Sequence, residues 1–464
     1  MRYLMRIILL SLCIAVTACS PPPNPQLENY DYRQGYRFGN CSAGENSDEL
    51  FIALSFSGGG TRAAAFSYGV LKALHEMEVT YSGKQIRLLD EVDLISSVSG
   101  GSFTAAYYGL YGNRIFTDFE DRFLKRNIQG DLALRTFAYP WNWFKLMSPN
   151  FSRIDLAADY YDEKLFNHQT YEVLEKNCRR PFIVINATDL SLGIRFEFTQ
   201  SQFDLLQSDL TGVSLGRAVA ASSAFPGLLA PLTMKNYEKT DFVEPLWVDT
   251  AIRFDMDITP RRYKPAREVR SYFDTVNRPY VHLIDGGVSD NMGLRGIIHS
   301  SAYPDVLISG DQKYVMDSRE FNLQRMIADR KIKKLLIIIV DAKPGEDVHL
   351  DRSRKTPGLV SVMNAVASAP MANYSFETVQ LIRGSLRQIE FAYRKDPEPF
   401  QFKTYMLHLR FDKIADAAVR KNIKELGTNF HLPDKAVDAL IDQGAALLRE
   451  SDVFKNKFLK DLNN

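Results

Sequence analysis

The chain has 464 residues, room for one large domain or two to three ordinary ones. Its 45% hydrophobic and 24% charged residues exclude a globally disordered chain and a multi-span membrane protein. Fifty-seven Lys and Arg against 56 Asp and Glu leave a formal charge of +1, too balanced for a chain whose main partner is nucleic acid. Four cysteines cannot build a disulfide-dense scaffold, and no Cys/His cluster has zinc-ligand spacing.

Residues 1–18 read as a secretory signal. Arg2 and Arg6 precede an apolar run over 7–16, which is too short to span a bilayer but fits a signal core. Val16-Thr17-Ala18-Cys19 looks like the lipobox of bacterial lipoproteins, in which the cysteine is lipidated and becomes the new N-terminus. Removal of 1–18 takes away two arginines and no acid, so the mature charge becomes −1. A lipidated Cys19 tethers the chain to a membrane, each buried CH₂ contributing about 0.8 kcal/mol. Ser20-Pro21-Pro22-Pro23-Asn24-Pro25 then reads as an extended spacer, and 19–48 as a linker. By the same resemblance, Ser20 after the cysteine favours the outer membrane of a Gram-negative envelope. Cys41 and Cys178 would then meet an oxidising compartment, though spacing alone does not pair them.

The apolar run 50–56 predicts a buried strand, and 63–77 carries Phe66, Val70, Leu74 and Met77 at helical spacing. A second strand is expected at 92–97, with a helix over 102–110. Further strands are expected at 182–187, 194–199, 280–284 and 335–340. Strands alternating with helices predict an α/β sheet covered on both faces. The stretches 111–180 and 232–279 lack a clean period and read as insertions shaping a cleft. Beyond Asp341 the pattern is mainly helical, over 357–394, 413–425 and 433–461.

Three motifs carry chemistry. Ser57-Gly58-Gly59-Gly60-Thr61-Arg62 follows a strand and opens a helix, so unpaired N–H groups face an anion there. A P-loop is excluded because its lysine is missing. A relaxed G-x-G-x-x-A dinucleotide fingerprint fits Gly58 to Ala63, without the acidic residue expected about 20 positions on. An oxyanion hole is the third reading, and a plain glycine turn the fourth. Ser97-Val98-Ser99-Gly100-Gly101 matches the nucleophile elbow G-x-S-x-G, with Ser97 in place of the first glycine and Ser99 at its centre. Ser96, Ser97 and Ser102 are off-centre. Ile284-Asp285-Gly286-Gly287 places a carboxylate at a strand end, where reacting groups gather in open α/β sheets. None of the histidines (His75, His168, His282, His299, His349, His408, His431) sits in a motif. That leaves Asp285 as the base for Ser99.

Taken in order, these motifs resemble the three motifs of patatin-like phospholipases. Ala221-Ser222-Ser223-Ala224-Phe225-Pro226, with Pro231, is similar to that family's A-S-x-A-x-P block, and 181–189 to the strand before it. The likeness covers roughly 50–345 in pieces. It implies a three-layer α/β/α domain over 49–345 with a mostly parallel sheet, followed by a mainly helical extension over 346–464. It also implies a Ser99/Asp285 dyad cleaving acyl esters of membrane lipids through an acyl-enzyme. Gly58, Gly59, Gly60 and Thr61 would form the oxyanion hole, with Arg62 bracing or assisting it, and Ser97, Gly100 and Gly101 would shape the elbow. This chemistry needs no cofactor and no metal. Serine at position 97, where the family usually has glycine, implies a tighter or less active elbow. The 221–231 block is expected to shape the pocket without taking part in chemistry. An acyltransferase or thioesterase with the same dyad, or a non-catalytic envelope lipoprotein on this scaffold, are the alternative readings.

Overall fold

Strand β1 (Leu50–Phe56) is buried along its whole length, as a run apolar on both faces must be when both faces are covered. The structure is a computed structural model that describes residues 24–148, 151–226, 229–240, 242–258, 260–297, 321–345, 351, 354–395 and 400–462. The expected signal, Cys19, His299 and His349 lie outside these residues. After β1 come the hairpin β2 (Glu78–Tyr81) and β3 (Lys84–Arg87), then β4 (Val92–Val98), β5 (Phe182–Asp189) and β6 (Ile194–Glu197). β7 (Leu232–Lys235), β8 (Tyr280–Asp285), β9 (Lys334–Asp341) and β10 (Lys403–Arg410) complete the strands used below.

The central sheet has the order β10-β9-β1-β4-β5-β8-β7, with β6 beside β5. Strands β10, β9, β1, β4 and β5 are parallel, while β8 and β6 run antiparallel to β5 and β7 antiparallel to β8. The expected layered α/β fold with a mostly parallel sheet is present. The hairpin β2–β3 lies where the sequence reading places no strand, and two strands of the central sheet depart from that reading as well. β7 lies inside the stretch read as an insertion, because four residues are too few for a period to stand out. β10 lies inside the region read as helical; it alternates buried Tyr405, Leu407 and Leu409 with less buried neighbours, as an edge strand does.

Helices α1 (Gly60–His75) and α2 (Gly100–Tyr111) follow β1 and β4 directly. Helix α3 (Leu215–Ser222) packs beneath β5 and β8, and α4 (Leu359–Arg394) and α5 (Asp434–Glu450) belong to the C-terminal part. α5 lies directly on α1. A Cβ on Gly69 would meet the Ile441 carbonyl oxygen at 2.1 Å, and one on Gly444 would meet that of Phe66 at 2.4 Å, so glycine sets this close approach. The C-terminal part therefore adds a strand to the sheet and a helix to the face that carries α1.

Residues 24–48, expected as a linker, lie against the body. Tyr36 stacks on Phe182, Phe38 is buried, and Arg37 pairs with Asp204, both nearly inaccessible to solvent. Cys41 and Cys178 are joined in a disulfide that ties this segment to the approach to β5. Among the described residues no helix is long and apolar enough to cross a membrane.

Candidate active site

Ser99 occupies the single position between β4 and α2. Its φ of 49° and ψ of −119° lie in a region that non-glycine residues rarely adopt, and such strain clusters at functional turns. The surroundings hold this turn in place. The Ser99 N–H donates to Ser222 Oγ at 2.8 Å, and the Ser222 hydroxyl donates to the Asn186 carbonyl at 2.6 Å. Because that hydroxyl has one hydrogen, Ser102 Oγ at 3.0 Å must be the donor in its contact with Ser222. A Cβ on Gly100 would sit 2.0 Å from the Gly60 carbonyl oxygen, so the elbow can touch the glycine loop only with glycine at position 100. Ser97 is buried, and its hydroxyl donates to the Val184 carbonyl at 3.1 Å, which accommodates the serine beside β5.

Asp285 ends β8, opposite Ala187 of β5. Its carboxylate is buried and accepts from the Gly287 N–H at 2.7 Å. Burial pushes its pKa up to about 6, with the Gly287 amide and the nearby Ser99 side chain opposing the rise. No described histidine is bonded to Ser99 or Asp285. His282 meets Thr233 at 3.1 Å, and His408 meets Asp341 at 2.9 Å.

The glycine loop joins β1 to α1, and its amides divide into two sets. Gly58 N–H donates to the Asn291 carbonyl at 3.0 Å, and Thr61 N–H to the Asn429 carbonyl at 2.9 Å. Among the described residues, Gly59 and Gly60 have no acceptor for their N–H groups. Both are at positive φ, at the start of α1 where helix geometry leaves amides unpaired. Arg62 is buried and donates to the carbonyls of Ala342 and Leu426 and to Thr428 Oγ1. Burial lowers its pKa to about 10, with Asp341 acting in the other direction. Its guanidinium thus fastens the loop to the chain at 426–428.

The structure brings Ser99, Asp285 and the glycine loop near one another and adds three residues that the three motifs do not mark. Ser222 falls in the block expected only to shape the pocket, yet it holds the Ser99 amide. Asn291 and Asn429 act through backbone carbonyls, which no side-chain pattern reveals. Among the described residues no cluster of His, Cys, Asp and Glu is placed to hold a metal ion.

Among solved structures, human GIVD cytosolic phospholipase A2 is similar with a TM-score of 0.46 and 14% identity, covering 90% of this chain and 62% of that one. Human GIVD cytosolic phospholipase A2 in complex with methyl gamma-linolenyl fluorophosphonate gives a TM-score of 0.41 and 13% identity, covering 90% and 59%. The chain therefore spans less than two thirds of the length of these structures. No curated protein sequence matches it. The family model of patatin-like phospholipase matches residues 54–298, a span that holds the glycine loop, the elbow and Asp285. This is more than half of the sequence, and the chain belongs to the patatin-like phospholipase family.

Proposed function

We propose that the protein is a lipid acyl hydrolase of the phospholipase A or lysophospholipase type, acting through Ser99 and Asp285. The observation that carries this reading is the convergence, at one turn, of Ser99 at the strained strand-to-helix position, the buried Asp285 carboxylate whose proton affinity the Ser99 side chain helps to set, and the glycine loop. Ser99 Oγ attacks the ester carbonyl carbon while its proton passes to Asp285. The carbonyl oxygen becomes an oxyanion, received by the Gly59 and Gly60 amides; one such donor is worth about 3–4 kcal/mol. The ester C–O bond then breaks, and the departing alcohol takes the proton from Asp285. Water attacks the resulting acyl-enzyme, gives its proton to Asp285, and the acid leaves as Ser99 recovers that proton. A carboxylate whose proton affinity is raised by burial suits this exchange better than one held in water.

The surroundings agree with a lipid substrate. The helices Ile128–Ala138 and Pro140–Leu146 and the residue after them expose Phe137, Trp141 and Met147. The first of these helices is tied to the segment behind the glycine loop, where Gln129 N–H donates to the Phe430 carbonyl at 3.4 Å. Exposed aromatic and apolar side chains on such helices suit contact with acyl chains. Placement on the outer membrane through a lipidated Cys19 is part of the proposal; the Cys41–Cys178 disulfide supports an oxidising compartment.

The test is to incubate the protein with phosphatidylglycerol and lysophosphatidylglycerol vesicles and measure released fatty acid by mass spectrometry. Release is expected, and Asp285→Asn should slow it by about 10²–10⁴-fold. Absence of release from both lipids, in protein shown to be folded, would overturn the proposal.

A further inference from the structure

A cavity of about 330 Å³ opens at the carboxyl ends of β9 and β10, under α4. Two of its lining residues neighbour residues that hold the glycine loop. Met292, which lines it, follows Asn291, the acceptor for Gly58 N–H; Asp341, also lining it, precedes Ala342, the acceptor for Arg62 Nε. Its floor is apolar, with buried Met292, Val379 and Phe411. Positions 372, 376, 379 and 383 recur at helical spacing, so one face of α4 closes one side.

The rest of the lining is charged. Lys343, Arg383, Arg410 and Lys424 bring four positive charges, against Asp341 and Asp412. Both carboxylates are already engaged. Asp412 pairs with Arg410 at 3.2 Å and Lys424 at 2.7 Å, while Asp341 accepts from the Lys343 backbone N–H at 3.0 Å and pairs with His408. Among the described residues, the side chains of Lys343 and Arg383 have no hydrogen-bonded or ion-pair partner. The cavity therefore has an apolar floor, four Lys and Arg side chains against two carboxylates, and two of those cations without a hydrogen-bonded partner among the described residues. That combination fits an oxyanion borne on an amphiphile, since charge-assisted bonds from Arg and Lys are the strong ones.

We infer that this cavity binds a phosphate group, with Arg383 and Lys343 as its charged partners, and that the phosphate is the head group of a glycerophospholipid lying beside the catalytic centre. The choice of a lipid source rests on the proposed hydrolase function; the anion site itself does not. Binding is measured by calorimetry on the full chain carrying Ser99→Ala, so that no turnover is needed and a failure of hydrolysis leaves this test standing. The probes are inorganic phosphate, dihexanoyl phosphatidylglycerol and phosphate-free dihexanoylglycerol.

The lipid phosphate is expected to bind saturably. Adding Lys343→Gln and Arg383→Gln together should weaken it about tenfold or more, and Arg383→Lys should retain part of the affinity. Dihexanoylglycerol should not distinguish these proteins. Binding of inorganic phosphate alone, lost in the double variant, would keep the anion site and overturn the head-group assignment. If neither phosphate probe binds, or if the double variant binds both as tightly as its parent, the site itself is overturned.

Discussion

Thr61 donates its backbone N–H to the carbonyl of Asn429 at 2.9 Å, so the loop proposed to receive negative charge is braced from the far end of the chain. Asn429 lies well outside the span 54–298 matched by the family. The contact takes one amide out of use, and the Asn291 carbonyl takes another from Gly58. Of the three glycine amides, those of Gly59 and Gly60 remain. On this arrangement the C-terminal part, through Arg62 and residues 426–429, acts as a support for the site as well as a layer of the fold.

Arg62→Met tests that support. The guanidinium holds two carbonyls and one hydroxyl at a buried position, and leaving such groups without a donor costs about 1–3 kcal/mol each. Partial relaxation brings the expected loss of unfolding free energy to about 2–4 kcal/mol, with lower turnover in the protein that stays folded. Thr428→Val, which removes one acceptor, should cost about 1 kcal/mol. Denaturant unfolding followed by esterase kinetics reads both. Normal stability with only kcat reduced in Arg62→Met would instead mark Arg62 as an electrostatic aid to the oxyanion.

The pH dependence follows from Asp285. The base must be the carboxylate form, so activity is present above its pKa and lost as pH falls through it. Burial sets that value at about 6, against 3.8 for an ordinary aspartate. The kcat/KM for a short p-nitrophenyl ester, followed between about pH 4 and 8, should fall on the acid side with a midpoint near 6. A midpoint near the ordinary carboxylate value would mean that Asp285 is solvated or is not the base.

Ser222→Ala separates packing from positioning. The small-residue block around it reads in the sequence as a filler of the pocket, but its hydroxyl is the acceptor for the Ser99 amide. Without it, a buried N–H at a strained turn loses its partner, at about 1–3 kcal/mol. We expect kcat to fall by about tenfold while KM changes little, the pattern of a nucleophile poorly held in the transition state. Unchanged kcat with unchanged stability would return Ser222 to a packing role.

Much of the fold is legible in the chain because β1 and β9 are nearly continuous apolar runs, as strands buried on both faces tend to be, and β4 and β5 keep short apolar stretches beside their buried polar residues. β10 is hidden for the opposite reason: as an edge strand it alternates, and it sits between two long helical patterns. The segment 24–48 looks like a linker because its few apolar residues, Tyr36 and Phe38, find their partner Phe182 only in three dimensions. Ser99, Asp285 and the glycine loop stand out because their chemistry lies in side chains and glycines at fixed spacing. Which amides of that loop are free does not, since it is set by carbonyls of Asn291 and Asn429, a property every residue type shares. Arg62 shows both sides of this. Its position in the motif is visible, while its partners at 426–428 are not.

The central claim is that Ser99, with Asp285 as its base, is the nucleophile. It is tested most directly by treating the intact protein with a fluorophosphonate probe and locating the adduct by peptide mass spectrometry. One label per chain is expected, on Ser99, with none on Ser99→Ala and slow labelling of Asp285→Asn. A protein that hydrolyses lipid esters yet carries its label on another serine, or that keeps full activity as Ser99→Ala, would contradict the account.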